Sequence, residues 1–169
     1  MSETGKGAPC VLRAPCAGDL GWIVHRHGVL YSQEYGWNEK FEGLVAEVAA
    51  AYLRDHDPHL EHCWIAERNG AIAGSVMLVR AEGGFAKLRL LYVEPAARGF
   101  GIGRMLLAQC IDKARECRYA GVVLWTTSNL HSARRLYEAA GFRLESEEPF
   151  DTFGMPLVGQ YWRLAFDAV

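Results

Sequence analysis

The stretch Leu90-Leu91-Tyr92-Val93-Glu94-Pro95-Ala96-Ala97-Arg98-Gly99-Phe100-Gly101-Ile102-Gly103 constrains this chain more than any other. Apolar and aromatic residues of a strand run into a turn that holds three glycines at alternate positions. The residues beyond read as a helix, because Ile102, Leu106, Cys110 and Ala114 share one face with Met105 and Gln109 beside it. The first turn of a helix leaves N–H groups unpaired at the positive end of its dipole, and glycines let an anion reach them with no Cβ in the way. A strand, a glycine-rich turn and a helix in that order make a phosphate cradle. Two other nucleotide sites are separated from it by spacing. A dinucleotide fingerprint requires G-x-G-x-x-G and an acidic residue about 20 positions later, whereas these glycines are spaced two and two. A Walker loop requires Lys-Ser or Lys-Thr after its last glycine, where this chain has Arg104-Met105. What is left is a pyrophosphate site with Arg98 at its mouth.

The elements around this unit follow from periodicity and turn residues. Residues 1–10 are small, polar and glycine-rich, and read as a flexible tail. A strand starts at residues 11–13, and residues 22–37 read as a helical segment without clean periodicity. Leu44, Val45, Val48 and Tyr52 recur at helical spacing, and Pro58 prevents continuation. Runs at 63–67, 72–80 and 85–93 are strands separated by Asn69-Gly70 and Gly83-Gly84, which favour an antiparallel meander. After the glycine-rich turn and its helix come a buried strand at 122–126, a helix at 130–140 closed by Gly141, and strands at 142–145 and 157–166. The fold class is α/β: a mixed, mostly antiparallel sheet of about seven strands with helices on both faces. It is expected to form one domain over residues 11–169.

Composition excludes several functions. A net charge of −2 offers no broad attraction to a phosphate backbone, so nucleic acid is not expected as a partner. No apolar run approaches the roughly 18 residues of a membrane helix and no signal-peptide block opens the chain, so a cytoplasmic protein without a membrane partner is expected. Five cysteines are an odd number and imply no disulfide framework. The run Asp55-His56-Asp57-Pro58-His59-Leu60-Glu61-His62-Cys63 holds metal-ligand residue types, but Pro58 prevents a helical His-x-x-His spacing and no second cysteine pair accompanies it. No metal is expected.

Residues 98–103 resemble the R-x-x-G-x-G signature of the GNAT superfamily of acyl-CoA-dependent N-acyltransferases, and Val93-Glu94-Pro95 is similar to the lead-in that often precedes it there. The resemblance covers residues 11–166. From Leu20 onward it is particularly similar to acetyltransferase domains that elsewhere follow a MarR-type winged-helix regulator, for which this chain has no room. It implies a GNAT-like fold and transfer of an acetyl group from acetyl-CoA, as acyl-donor cosubstrate, to a primary amine of a small molecule or protein. The alternative is a noncatalytic acyl-CoA sensor. The amides of Arg98, Gly99, Phe100, Gly101, Ile102, Gly103 and Arg104 would bind the pyrophosphate. The strand edge at Leu91, Tyr92 and Val93 would pair with the pantetheine arm, and an N–H near Leu91 or Tyr92 would meet the oxyanion.

Leu136-Tyr137-Glu138-Ala139-Ala140-Gly141-Phe142 resembles the L-Y-E-x-x-G-F segment of the superfamily, which implies Tyr137 as general acid toward the departing thiolate; its plainer role is packing. Asn129 would bond the pantetheine or cap the following helix, although the common spacing of seven before the tyrosine falls on Leu130. Arg134 is expected near the cradle. The general base is open among Glu34, His25, His27 and Glu94, the last reading more simply as a solvated loop charge. The acceptor is expected against residues 22–37 and 149–159, with His25, His27, Glu34, Tyr35, Trp37 and Phe153 as candidate contacts. Aromatic walls with a few polar groups suit a small, partly apolar, cationic ligand. A homodimer is compatible with the sequence.

Overall fold

The computed structural model describes residues 8–168, so most of the tail expected over residues 1–10 lies outside the described residues. The elements run β1 (Val11–Arg13), α1 (Asp19–Tyr35), α2 (Glu39–Asp55), β2 (His62–Arg68), β3 (Ala71–Arg80), β4 (Ala86–Val93), α3 (Ile102–Glu116), β5 (Gly121–Thr127), α4 (His131–Ala139), β6 (Arg143–Phe150) and β7 (Leu157–Ala165). They build one seven-stranded sheet in the order β1-β2-β3-β4-β5-β7-β6, in which β4 and β5 are the parallel pair and the other neighbours are antiparallel. The α/β class, the mixed sheet and the helices on both faces are as the sequence predicts. The anticipated face of α3, Ile102, Leu106, Cys110 and Ala114, is buried throughout.

Two segments differ from the sequence reading, each for a physical reason. Residues 22–37 lie mostly in a regular helix, α1. Its buried stripe is Leu20, Ile23, His27 and Leu30, so one position of the 3.6-residue period is a histidine, while Trp22 on the other side is exposed. Polar in composition but buried in place, His27 hides the period. The last hairpin is also longer than expected, because β6 reaches Phe150. Its residues 143–149 are all exposed, so no apolar alternation marks them. Pro149 is tolerated because this is the edge strand.

The side-chain alternation along β4 positions the site. On β2 and β3, Ala66, Val76 and Leu78 pack with α3, while Cys63, Ile65 and Met77 pack under α1 and α2. On β4, Ala86 and Leu88 join the α3 side, and strict alternation would send Leu90 and Tyr92 there too. Instead Leu91 and Val93 do so, whereas Leu90 and Tyr92 face α1 and α2. The parity flips because one extra residue is inserted: Met77 pairs with Arg89 and Ser75 with Tyr92, and Leu90 takes a left-handed φ of 52°. Ser75, 1% exposed, steadies the bulge by donating its hydroxyl proton to the Leu90 carbonyl at 3.1 Å.

Removal of that hydroxyl leaves a carbonyl of the bulge with one acceptor site unmet. Ser75→Ala is expected to lower unfolding free energy by roughly 1–3 kcal/mol in urea titrations. A variant as stable as the parent would show that the bulge is held by its packing alone.

Candidate active site at the splayed strands

β4 and β5 pair only at Ala86↔Val122 and Lys87↔Val123. Beyond the bulge the two strands diverge, and the edge of β4 at residues 91–93 is left without a strand partner on that side. Two cavities occupy the opening. One, of ≈ 810 Å³, lies against the glycine-rich turn and α4; the other, of ≈ 510 Å³, lies under α1 and α2 and reaches Tyr137 and Thr126. Tyr31, Leu91, Leu130 and Ala133 line both, so the cavities meet at the gap between the strands.

The larger cavity holds the cradle. Residues 91–93 and 98–104 line it, Phe100 excepted. The first intrahelical bond of α3 is Met105 N–H to the Gly101 carbonyl, no side chain caps the helix, and the amides of Ile102, Gly103 and Arg104 therefore precede its ladder. Gly101 stands at φ 76° with open space where a Cβ would be, so its absence of a side chain serves backbone shape and ligand access rather than packing. Gly103 is different: a Cβ there would lie 3.1 Å from a Leu136 methyl, so glycine lets α3 approach α4. A row of free amides, an open approach and an arginine at the mouth fit a diphosphate anion. Arg98 is engaged, however: it donates to the Glu34 carboxylate at 2.8 Å and to the Val93 carbonyl at 3.4 Å.

Not every expected contact reaches this cavity. The Phe100 ring is 60% exposed and carries the Arg68 guanidinium 3.7 Å above it. Asn129 lines neither cavity and does not cap α4; its Oδ1 accepts from the Thr127 hydroxyl at 2.6 Å. Leu130, at the spacing of seven before Tyr137, takes the position on both walls. Arg134 turns back to the Ser128 carbonyl at 2.8 Å, while Ser132 and Arg135 of the same helix line the cavity in its place. Sequence reasoning missed Ser132 and preferred Arg134 to its neighbour Arg135, because the direction of a helical side chain depends on how α4 docks. Glu34 and Tyr35, expected on the acceptor side, line the larger cavity beside the glycine-rich turn instead.

Tyr137 lies on the smaller cavity and is 5% exposed. Burial, with Tyr31 nearby, holds its pKa above the ordinary phenol value, so the hydroxyl keeps its proton. It forms no hydrogen bond with the described residues, which leaves it free for a ligand. His27, Trp37 and Phe153 also line this cavity. His27 is 2% exposed, its Nδ1 bonds the Ile23 carbonyl at 2.8 Å, and burial lowers its pKa to about 4, so the ring is neutral at physiological pH. His25 is exposed and lines neither cavity. Glu94 is no solvated loop charge: Arg26 clamps both its oxygens, at 2.7 and 2.9 Å, and its side chain is 16% exposed. That contact spans 68 positions in sequence and joins α1 to the lead-in of the cradle.

The charge on the walls of the smaller cavity is mainly positive. Lys40, Lys87 and Arg89 line it against one acid, the exposed Glu148. An ammonium ligand would meet like charge there. Among the described residues no three His, Cys, Asp or Glu side chains converge on a metal site, and no helix is long and apolar enough to cross a membrane.

A family model described as the acetyltransferase (GNAT) family matches residues 28–142. An uncharacterised N-acetyltransferase of Schizosaccharomyces pombe is 30% identical over 121 residues, 71% of this chain and 73% of that protein. An L-methionine sulfoximine/L-methionine sulfone acetyltransferase of Salmonella typhimurium is 33% identical over 133 residues, 75% of this chain and 74% of its own length. Among solved structures, the acetyltransferase YncA of Salmonella typhimurium with its cofactor acetyl-CoA superposes with a TM-score of 0.72 at 25% identity, covering 95% of each chain.

Two measurements test this geometry. Glu34→Gln releases Arg98 from a half-exposed ion pair worth about 0.2–1 kcal/mol, so calorimetry should show acetyl-CoA binding up to about fivefold tighter; unchanged affinity would mean that the pair does not compete with the ligand. His27 has an ordinary pKa of 6.5 and a folded pKa of about 4, so the unfolded state binds more protons between those values and stability falls as pH drops through that window. The loss should approach about 3 kcal/mol by pH 4, and His27→Gln should flatten that part of the pH profile. A parent profile flat from pH 7 to 4 would contradict the buried neutral ring.

Proposed function

We propose a set of residue roles for this chain, which belongs to the acetyltransferase (GNAT) family and transfers an acetyl group from acetyl-CoA to an amine. One observation carries the reading: a buried, protonated tyrosine lines an aromatic cavity that meets a cradle-lined cavity through a gap in the sheet. The N–H of Arg98 is taken by the Pro95 carbonyl at 3.3 Å, so the amides at residues 99–104 hold the diphosphate, and the Arg98 side chain exchanges Glu34 for it. The free edge of β4 at residues 91–93 pairs with the amide-bearing arm, which supplies the activated acetyl group at the gap. An N–H of Leu91 or Tyr92 faces the oxyanion. The amine enters from the smaller cavity and forms the C–N bond as the C–S bond breaks. Tyr137 donates its hydroxyl proton to the thiolate sulfur and regains one from the water that takes the amine's proton.

No side chain is assigned as general base. Glu94 is committed to Arg26, His25 is outside both cavities, and His27 with a pKa of about 4 is too weak to hold an ammonium proton. Water in the cavity takes that proton. The basic wall helps, because neighbouring positive charge lowers the pKa of the incoming amine. The acceptor is a small-molecule or protein amine, the transferase domain spans residues 11–169, and we place the protein in the cytoplasm. The finer likeness to domains that follow MarR-type regulators rests on the sequence from Leu20 onward alone.

Release of free thiol from acetyl-CoA with a panel of amines tests the reading. Turnover that depends on the amine is expected, and Tyr137→Phe should lower kcat about 100-fold with little change in acetyl-CoA affinity. Equal kcat would return the tyrosine to packing. Coenzyme binding without turnover on any amine would favour the acyl-CoA sensor.

A further inference from the structure

On β4, immediately before the bulge, Lys87 and Arg89 project to the same face, two residues apart. That is the face of α1 and α2, where both side chains join the wall of the smaller cavity, half-buried. Neither forms an ion pair or hydrogen bond with any described residue, in contrast to Arg13, Arg26 and Arg98, each of which reaches a carboxylate within 2.8 Å. Desolvation depresses the pKa of both, and in Lys87 the neighbouring Arg89 adds to it. Two partly desolvated cations side by side repel each other and gain from any anion that arrives.

The rest of the cavity narrows what that anion belongs to. Trp37, 2% exposed, lines it and holds a buried indole N–H with no acceptor. Trp125, Phe150 and Phe153 pack edge to face as a second wall and offer apolar surface. Glu148, the one acid on the lining, is exposed on the edge strand and pairs with neither cation. The cavity therefore presents donors and positive charge together with aromatic carbon, and Tyr137 lines it too.

We propose that Arg89 and Lys87 form a carboxylate receptor, and that the acceptor is a small amine which also bears a carboxylate and an apolar side chain, as a free amino acid does. This rests on the acetyl-transfer reading for the role of the cavity, while the receptor itself is defined by its charge alone. Arg89 offers a planar fork to two carboxylate oxygens, Lys87 a point charge beside it, and the Trp37 N–H a further donor. The same charges that fix the carboxylate disfavour the ammonium form of the amine. Anchoring and activation therefore use one pair of residues.

The test measures binding rather than turnover, so it is independent of whether acetyl transfer occurs. L-Phenylalanine and L-methionine, their carboxamides, and phenethylamine are titrated calorimetrically into the full chain saturated with coenzyme A, and again into the chain alone. Binding of the free amino acids at least tenfold tighter than of the amides and of phenethylamine is expected in both series. Arg89→Met should abolish that preference and Arg89→Lys should restore part of it, with acetyl-CoA affinity unchanged in both. Equal or tighter binding of the amides or phenethylamine, or no binding of the amino acids at millimolar concentration, overturns the proposal. So does a preference that survives Arg89→Met together with Lys87→Met. Failure of the transfer reading has a separate signature: the coenzyme does not bind, or every amine is bound and none is acetylated, while the carboxylate preference persists.

Discussion

One inserted residue at Leu90 governs the geometry of the site. The bulge reverses which side chains of β4 face each helical layer, and β4 leaves β5 just before it, after Lys87↔Val123. Strands that parted without a bulge would bury the free edge against the same neighbours. With it, Leu91 points to the gap and both cavities, while Tyr92 goes under α1 beside His27, whose ring centroid is 4.8 Å away. An unpaired edge in the middle of a sheet costs main-chain hydrogen bonds unless a ligand or water supplies them. Here the edge is also the place where an amide-bearing arm can dock.

The charges on α1 connect the two halves of the site. Arg26 clamps Glu94 at the lead-in to the cradle and Glu34 holds Arg98 at its mouth, so one helix makes both contacts with the turn. Their strengths differ by environment. The first pair is largely shielded, with side chains 22% and 16% exposed, and it fixes the approach of the turn to the helix; the second is 50% exposed on the arginine and can be exchanged for a phosphate. On the proposed roles, the helix that carries part of the smaller cavity's wall is thereby tied to coenzyme binding.

Much of this was legible in the residues. The cradle declared itself through glycine spacing, because free amides and missing Cβ atoms are local properties. The meander, α2 and α3 followed from period and local pattern, and Tyr137 from the resemblance of its segment to the superfamily. What was not legible depends on partners far away in sequence. The bulge has no turn residue at Leu90 to announce it and is set by the register with β3 and by Ser75. Lys87 and Arg89 read as the polar half of an alternating strand, with no sign that their face is half-covered. Glu94 resembled a loop charge until Arg26 met it. Of the residues expected at the acceptor, Trp37, Phe153 and His27 line the smaller cavity, while the charges that set its sign lie on other elements.

The central claim is that the opening beside β4 and the amides at residues 99–104 together form the seat of acetyl-CoA. Amide hydrogen exchange with and without the coenzyme tests it most directly, because both features consist of main-chain N–H groups. Slowed exchange is predicted at residues 91–93 and 101–104, with β2 and the distal end of β6 unchanged. Saturating coenzyme that leaves those amides exchanging at their original rates, or that protects a different edge of the sheet, would contradict the account.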